Sequence, residues 1–157
     1  MTVSAWRIAA PEFSNNAVQM MSGEGAFLYG GRWNSKGTRV VYLGSSIAQA
    51  AMELLVHLGR SDILRKFHLL DVRFDEDHIA HIALDDLPGD WAEETMVPET
   101  QYIGDYWVHE RSSLILQVPS VAVIGEYNYL LNPSHPHMDE VTFGSIRPFD
   151  FDPRIIK

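Results

Sequence analysis

The 157-residue chain is 46% hydrophobic, 11% aromatic and 21% charged, which fits one folded domain with its own core and not a segment that orders only on contact. Its formal net charge of −9 opposes direct binding to nucleic acid or an anionic membrane, but leaves room for an anionic small molecule at a few clustered arginines, and suits a basic partner. With no cysteine, disulfide frameworks, thiolate metal sites and cysteine nucleophiles are excluded.

Residues 3–8 are predicted as a short strand, and the glycine-rich stretch 22–37 as a shaped loop. A strand follows over 39–43. Residues 46–58 are predicted as a helix, because Ser46 and Gln49 have capping-box spacing and Ile47, Ala51, Leu54, Leu55 and Leu58 share one face; Gly59 marks its end. A strand over 66–73 precedes a second helix over 98–111 with Pro98 near its start. Strands over 113–118, ended by Pro119, and over 126–131 lead into a proline-interrupted turn at 132–137 and a closing strand within 141–149. Several short strands with only two good helices predict an α+β fold in a single domain spanning 1–157. Residues 1–11 lack the basic and apolar regions of a secretory signal, and no stretch approaches the roughly 20 apolar residues that span a bilayer, so the expected localisation is cytoplasmic.

Four positions could carry chemistry. Arg32 lies in Gly30-Gly31-Arg32-Trp33-Asn34, where glycines let the backbone approach a ligand and the guanidinium offers a fork for phosphate, with Asn34 as a further polar contact. A solvated loop arginine beside a core tryptophan gives the same pattern. Tyr42 shares a strand face with Val40, opposite Val41 and Leu43; it reads either as a core tyrosine or as a ring that stacks on a base or bonds a sugar hydroxyl. Glu53 falls on the helix flank with Gln49 and His57, facing either solvent or a cleft, and a cleft glutamate suits a transition state that develops positive charge. Ser120 follows Val118-Pro119 at a strand end; no G-x-S-x-G elbow surrounds it, so it is not read as a nucleophile. His135, His137, Asp139 and Glu140, like Asp75, Asp77, His78 and His81, are read as turn and surface residues, and no metal is expected.

Taken in order, Trp6-Arg7, Gly31-Arg32-Trp33-Asn34, Val41-Tyr42-Leu43, Ala50-Ala51-Met52-Glu53, Val118-Pro119-Ser120 and Leu131-Asn132-Pro133 with His135-Pro136 resemble the RES family, the toxin half of bacterial toxin–antitoxin pairs. The resemblance implies a fold similar to diphtheria-type ADP-ribosyltransferases, with a split, twisted sheet and flanking helices around an NAD cleft. It also implies cleavage of the nicotinamide–ribose bond of NAD by hydrolysis or phosphorolysis, with inorganic phosphate as a co-substrate in the latter case and no resident cofactor. Mono-ADP-ribosylation of a protein and non-catalytic binding are the competing outcomes.

By the same resemblance Arg32, Tyr42, Glu53 and Ser120 form the active site. Arg32 would bind the pyrophosphate, Tyr42 pack on nicotinamide or its ribose, and Ser120 orient a ribose or amide group. Glu53 would stabilise the ribosyl cation, hold the ribose hydroxyls or position water. Asn132 and His135 enter as structural or cleft-lining candidates. The implied partner is an Xre-like helix-turn-helix antitoxin that supplies the DNA contacts, with a homodimer inside the complex left open.

Overall fold

A computed structural model describes residues 1–95 and 97–156. Strand β1 (Thr2–Ala9) is followed by two short helices, α1 (Ala17–Met20) and α2 (Glu24–Tyr29), then by β2 (Val41–Gly44) and helix α3 (Ile47–Leu55). Next come β3 (Phe67–Asp75), β4 (Ile79–His81), helix α4 (Pro98–Glu110), β5 (Ile115–Pro119), β6 (Tyr127–Leu131), β7 (Thr142–Phe143) and β8 (Arg147–Phe149). The strands form one twisted mixed sheet ordered β4-β5-β6-β2-β1-β3-β7, with β8 also on β3; β4–β5 is its parallel pair. The fold is therefore α+β, as expected.

The sheet is nearly two sheets. β1 pairs with β3 from Thr2 opposite Asp75 to Ala9 opposite His68, but with β2 it pairs at Trp6 opposite Gly44. Gly44 also faces Asn128 of β6, which in turn faces Val118 of β5, so one line of residues crosses the junction. Helix α3 lies directly on that line: a Cβ at position 44 would stand 2.5 Å from the Ala50 nitrogen, a distance that only glycine avoids.

α3 begins as its sequence dictates, with the Ser46 hydroxyl accepting the Gln49 N–H at 3.0 Å. Such a cap contributes about 1 kcal/mol. A helix this short is marginal in water, so burial decides its existence: Ile47, Ala51, Leu54, Leu55 and Leu58 pack against Ile8, Phe67, Leu69 and Phe151. The alternation in β2 also holds, with Val41 and Leu43 in the cluster containing Met20 and Leu70, and Val40 and Tyr42 in the cluster around Trp33 and Trp107.

The structure corrects the sequence reading in places. The 22–37 stretch contains helix α2, and α3 ends at Leu55 and not Leu58. The closing strand is two short pieces, because the Gly144 N–H turns aside to the Asp71 carbonyl at 3.0 Å. Four-residue α1 and three-residue β4 are too short to carry a periodicity. Among the described residues no helix is long and apolar enough to cross a membrane.

Candidate active site

Glu53 lies on the flank of α3, half-buried beside the sheet junction. Three side chains donate to its Oε1 atom: the Ser120 hydroxyl at 2.5 Å, the Asn128 amide at 2.9 Å and the Gln49 amide at 3.2 Å. Each comes from a different place, one from the residue after β5, one from β6 at the junction and one from the helix turn below Glu53. Oε2 receives no hydrogen bond from the described residues in this arrangement. Ser120 is itself fixed, 5% exposed, with its hydroxyl accepting the Val123 N–H at 3.0 Å and its N–H donating to the Glu126 carbonyl at 2.9 Å.

Arg32 stands in a tight turn closed by the Gly31 N–H to the Asn34 carbonyl at 3.0 Å. Helix α4 clamps that turn. Thr100 donates to the Arg32 carbonyl at 2.7 Å, Gln101 to the Gly31 and Asn34 carbonyls at 3.0 and 3.1 Å, and Asp105 accepts the Ser35 N–H at 3.0 Å and the Ser35 hydroxyl. The approach is close enough that a Cβ on Gly104 would stand 1.6 Å from the Trp33 carbonyl oxygen. The Arg32 guanidinium, half-buried, donates to the Trp91 carbonyl at 2.8 Å and the Glu93 carbonyl at 2.9 Å. Burial lowers its pKa, and the negative charge of Glu53 opposes that shift.

Tyr42 and Asn34 support the turn from inside. The Tyr42 hydroxyl accepts the Trp33 N–H at 3.2 Å and donates to Asn34 Oδ1 at 2.6 Å, and burial raises the pKa of the phenol. Asn34 is fully buried and its amide donates to the carbonyls of Ala26, Ser35 and Thr38. Its atoms are thus spent on the turn, a different task from the ligand contact its type suggested. Tyr42 likewise commits its hydroxyl to the loop, and its ring packs against the cluster around Trp33 and Trp107.

Arg32, Tyr42, Glu53 and Ser120 are thereby assembled around the sheet junction, whereas Asn132 and His135 are not. Asn132 is wholly buried, its amide donating to the Val108 carbonyl at 3.1 Å, so it ties the 132–137 turn to α4. His135 lines a cavity of about 540 Å³ with Asp77, His78, Arg111 and His137, at the end of β5 away from Ser120. Neither residue hydrogen-bonds Glu53, Ser120, Gln49 or Asn128. His137 and His78 both contact Glu140, at 2.5 and 3.5 Å, and among the described residues no group of three histidines or carboxylates has a metal-holding arrangement.

Sequence reasoning passed over Asn128, and it placed Gln49 in the capping box and on the flank beside Glu53 without giving it a role in the site. An asparagine inside an apolar strand and a glutamine one helical turn before Glu53 were the available signals. The carbonyls of Trp91 and Glu93 carried no signal, because any residue type supplies a carbonyl.

The RES domain family matches residues 4–152. A curated protein named Toxin Res from Yersinia enterocolitica is 40% identical over 136 residues, covering 85% of this chain and 89% of the relative. The Prs ADP-ribosylating toxin of a Sphingobium species is 34% identical over 160 residues, covering 100% of this chain and 99% of the relative. In three dimensions, a chain in the crystal structure of the M. tuberculosis MbcT–MbcA toxin–antitoxin complex matches with a TM-score of 0.73 at 14% identity, covering 99% of this chain and 87% of that one.

Proposed function

Since the chain belongs to the RES domain family, whose curated relatives are toxins, we propose that it acts as a toxin by breaking the bond between nicotinamide and ribose in NAD. The observation that carries this reading is the Glu53 carboxylate, held through one oxygen by three donors while the other accepts no hydrogen bond from the described residues, in electrostatic reach of Arg32.

The chemistry needs little more. Nicotinamide in NAD is a cationic leaving group: the C1′–N bond breaks with its electron pair going to the ring nitrogen, and nicotinamide departs neutral with no proton required. The positive charge left on the ribosyl C1′ and ring oxygen is stabilised by Glu53 Oε2, whose fixed orientation avoids reorganisation during the reaction. Arg32 binds the pyrophosphate as a bidentate fork, exchanging its bonds to the Trp91 and Glu93 carbonyls for phosphate oxygens, and the Tyr42 ring borders the nicotinamide end. An acceptor then forms the new bond at C1′ and releases its proton to solvent. Water gives ADP-ribose and inorganic phosphate gives the phosphorylated product.

A second reading has its own support. The Sphingobium relative named for ADP-ribosylating Prs aligns over the whole of this chain, and a protein side chain as acceptor would follow the same bond cleavage. The expected partner is an antitoxin of Xre-like helix-turn-helix type that brings the DNA contacts this acidic chain lacks. The test is NAD consumption by the purified protein with and without phosphate, resolving nicotinamide, ADP-ribose and ADP-ribose phosphate. Free nicotinamide supports the reading and the second product names the acceptor; NAD left intact in both conditions sinks it.

A further inference from the structure

Gln49 and Asn128 form a relay that joins α3 to β6 and ends on Glu53. Gln49 is 4% exposed, and its amide nitrogen donates both to Glu53 Oε1 at 3.2 Å and to Asn128 Oδ1 at 3.0 Å. Asn128 in turn donates to the same Glu53 oxygen at 2.9 Å. A carboxylate only accepts, so the face of each amide turned toward Glu53 must be its nitrogen. Gln49 can satisfy Asn128 Oδ1 only while Asn128 presents Nδ2 to Glu53, so the first amide fixes the orientation of the second. The backbone anchors both: Gln49 is one helical turn before Glu53, and Asn128 is held opposite Gly44 at the sheet junction.

We propose that Gln49 and Asn128 are positioning residues that aim Glu53 Oε2 at the reacting centre by saturating Oε1 from two directions, with Ser120 as the third. This rests on the proposed function, deepening its account of the same site. Without them the carboxylate swings about its terminal torsion, which is broad and roughly two-fold in an unrestrained glutamate. Substrate binding through Arg32 is untouched by that freedom; only the transition state, where the charge develops, loses its partner.

The test uses Asn128→Ala and Gln49→Met, the second keeping side-chain length and apolar bulk while removing both donors. With nicotinamide release as the readout, kcat is expected to fall roughly 10- to 100-fold while KM for NAD stays within about 3-fold, the split expected when an interaction is made only in the transition state. In a Glu53→Asp background, whose shorter carboxylate has already left the three donors, Asn128→Ala should cost less than about 3-fold more, because residues acting as a unit are not additive. A folded Asn128→Ala that keeps full kcat overturns the proposal, as does a rise in KM without loss of kcat, or a loss that multiplies unchanged with Glu53→Asp. If both variants melt far below the parent, the pair is structural and the proposal falls. Growth arrest on induced expression separates the two readings: a parent that arrests growth without releasing nicotinamide refutes NAD cleavage, and the same variants are then judged by whether they relieve the arrest.

Discussion

The Ser120 hydroxyl meets Glu53 Oε1 at 2.5 Å, joining the residue after β5 to the flank of α3 across 67 residues of chain. A hydrogen bond to a charged group contributes roughly 1.5–3 kcal/mol, and about 1.4 kcal/mol is a tenfold change in rate. Ser120→Ala should therefore lower the rate of nicotinamide release about 10- to 100-fold. The Val123 N–H loses its acceptor too, so some destabilisation accompanies it. Steady-state kinetics beside a thermal melt checks this; a folded variant with parental kcat would remove Ser120 from the site.

Glu53→Gln keeps the shape of the side chain but removes the charge that opposes a cation. The expected result is an ordinary melting temperature with activity down by at least roughly 100-fold, the scale of a lost electrostatic stabiliser. Glu53→Ala should likewise abolish toxicity while substrate binding persists. A sharp loss of stability with retained activity would mean that Glu53 belongs to a structural network.

Arg32→Lys replaces a planar fork with a point charge. The turn itself is held by backbone and α4 contacts, so it should survive, and the effect should appear in KM for NAD as an increase of roughly 10-fold, about what one charge-assisted hydrogen bond is worth. The bonds from Arg32 to the Trp91 and Glu93 carbonyls are lost as well, so limited proteolysis around residues 88–95 should accelerate. Unchanged KM would place the pyrophosphate elsewhere.

Gly104→Ala pushes a methyl group to within 1.6 Å of the Trp33 carbonyl oxygen, so α4 must retreat from the Arg32 turn. Overpacking of this kind costs roughly 1–3 kcal/mol, or a melting temperature lower by about 2–9 °C for a chain of this size. The same retreat breaks the Thr100, Gln101 and Asp105 contacts, so NAD affinity should fall with stability. A melt and an NAD titration on the same sample test the linkage; parental values in both would contradict it.

Burial raises the pKa of Tyr42 above the unfolded value of 10.0. A raised folded pKa gives stability that is complete below the unfolded value and is lost as pH climbs toward the folded one, so Tyr42 weakens the fold above about pH 10. Arg7, pulled down to about 10 by burial, acts in the opposite sense above that pH, and Tyr129 in the same sense as Tyr42. Comparison with Tyr42→Phe cancels both. At neutral pH that variant should be less stable by about 1–3 kcal/mol, since Asn34 Oδ1 and the Trp33 N–H lose their partner. Between about pH 9 and 11 the gap should narrow, by up to about 1.4 kcal/mol per pH unit. Melts showing a constant gap would mean that the phenol titrates normally.

The local pattern of the sequence determined much of this protein. The Ser46 cap and apolar stripe of α3, the two faces of β2 and the proline start of α4 were all legible, because each depends on residues within one or two turns. The short α1 and β4 were not, nor was α2 within a glycine-rich stretch, because their contacts and not their composition keep them in place. The residue types gathered at the candidate site were visible as well: an arginine beside glycines and a glutamate off the apolar face.

Tertiary structure alone decided how they were used. That Asn34 and the Tyr42 hydroxyl brace the turn, that the Asn132 amide is tied to α4, and that Gln49, Asn128 and Ser120 converge on one oxygen are all outcomes of the tertiary fold. The reason is geometric: hydrogen bonds act over about 3 Å, and the distances among residues 49, 53, 120 and 128 are set by the register of β2, β5 and β6 and by a glycine that lets α3 sit against the sheet.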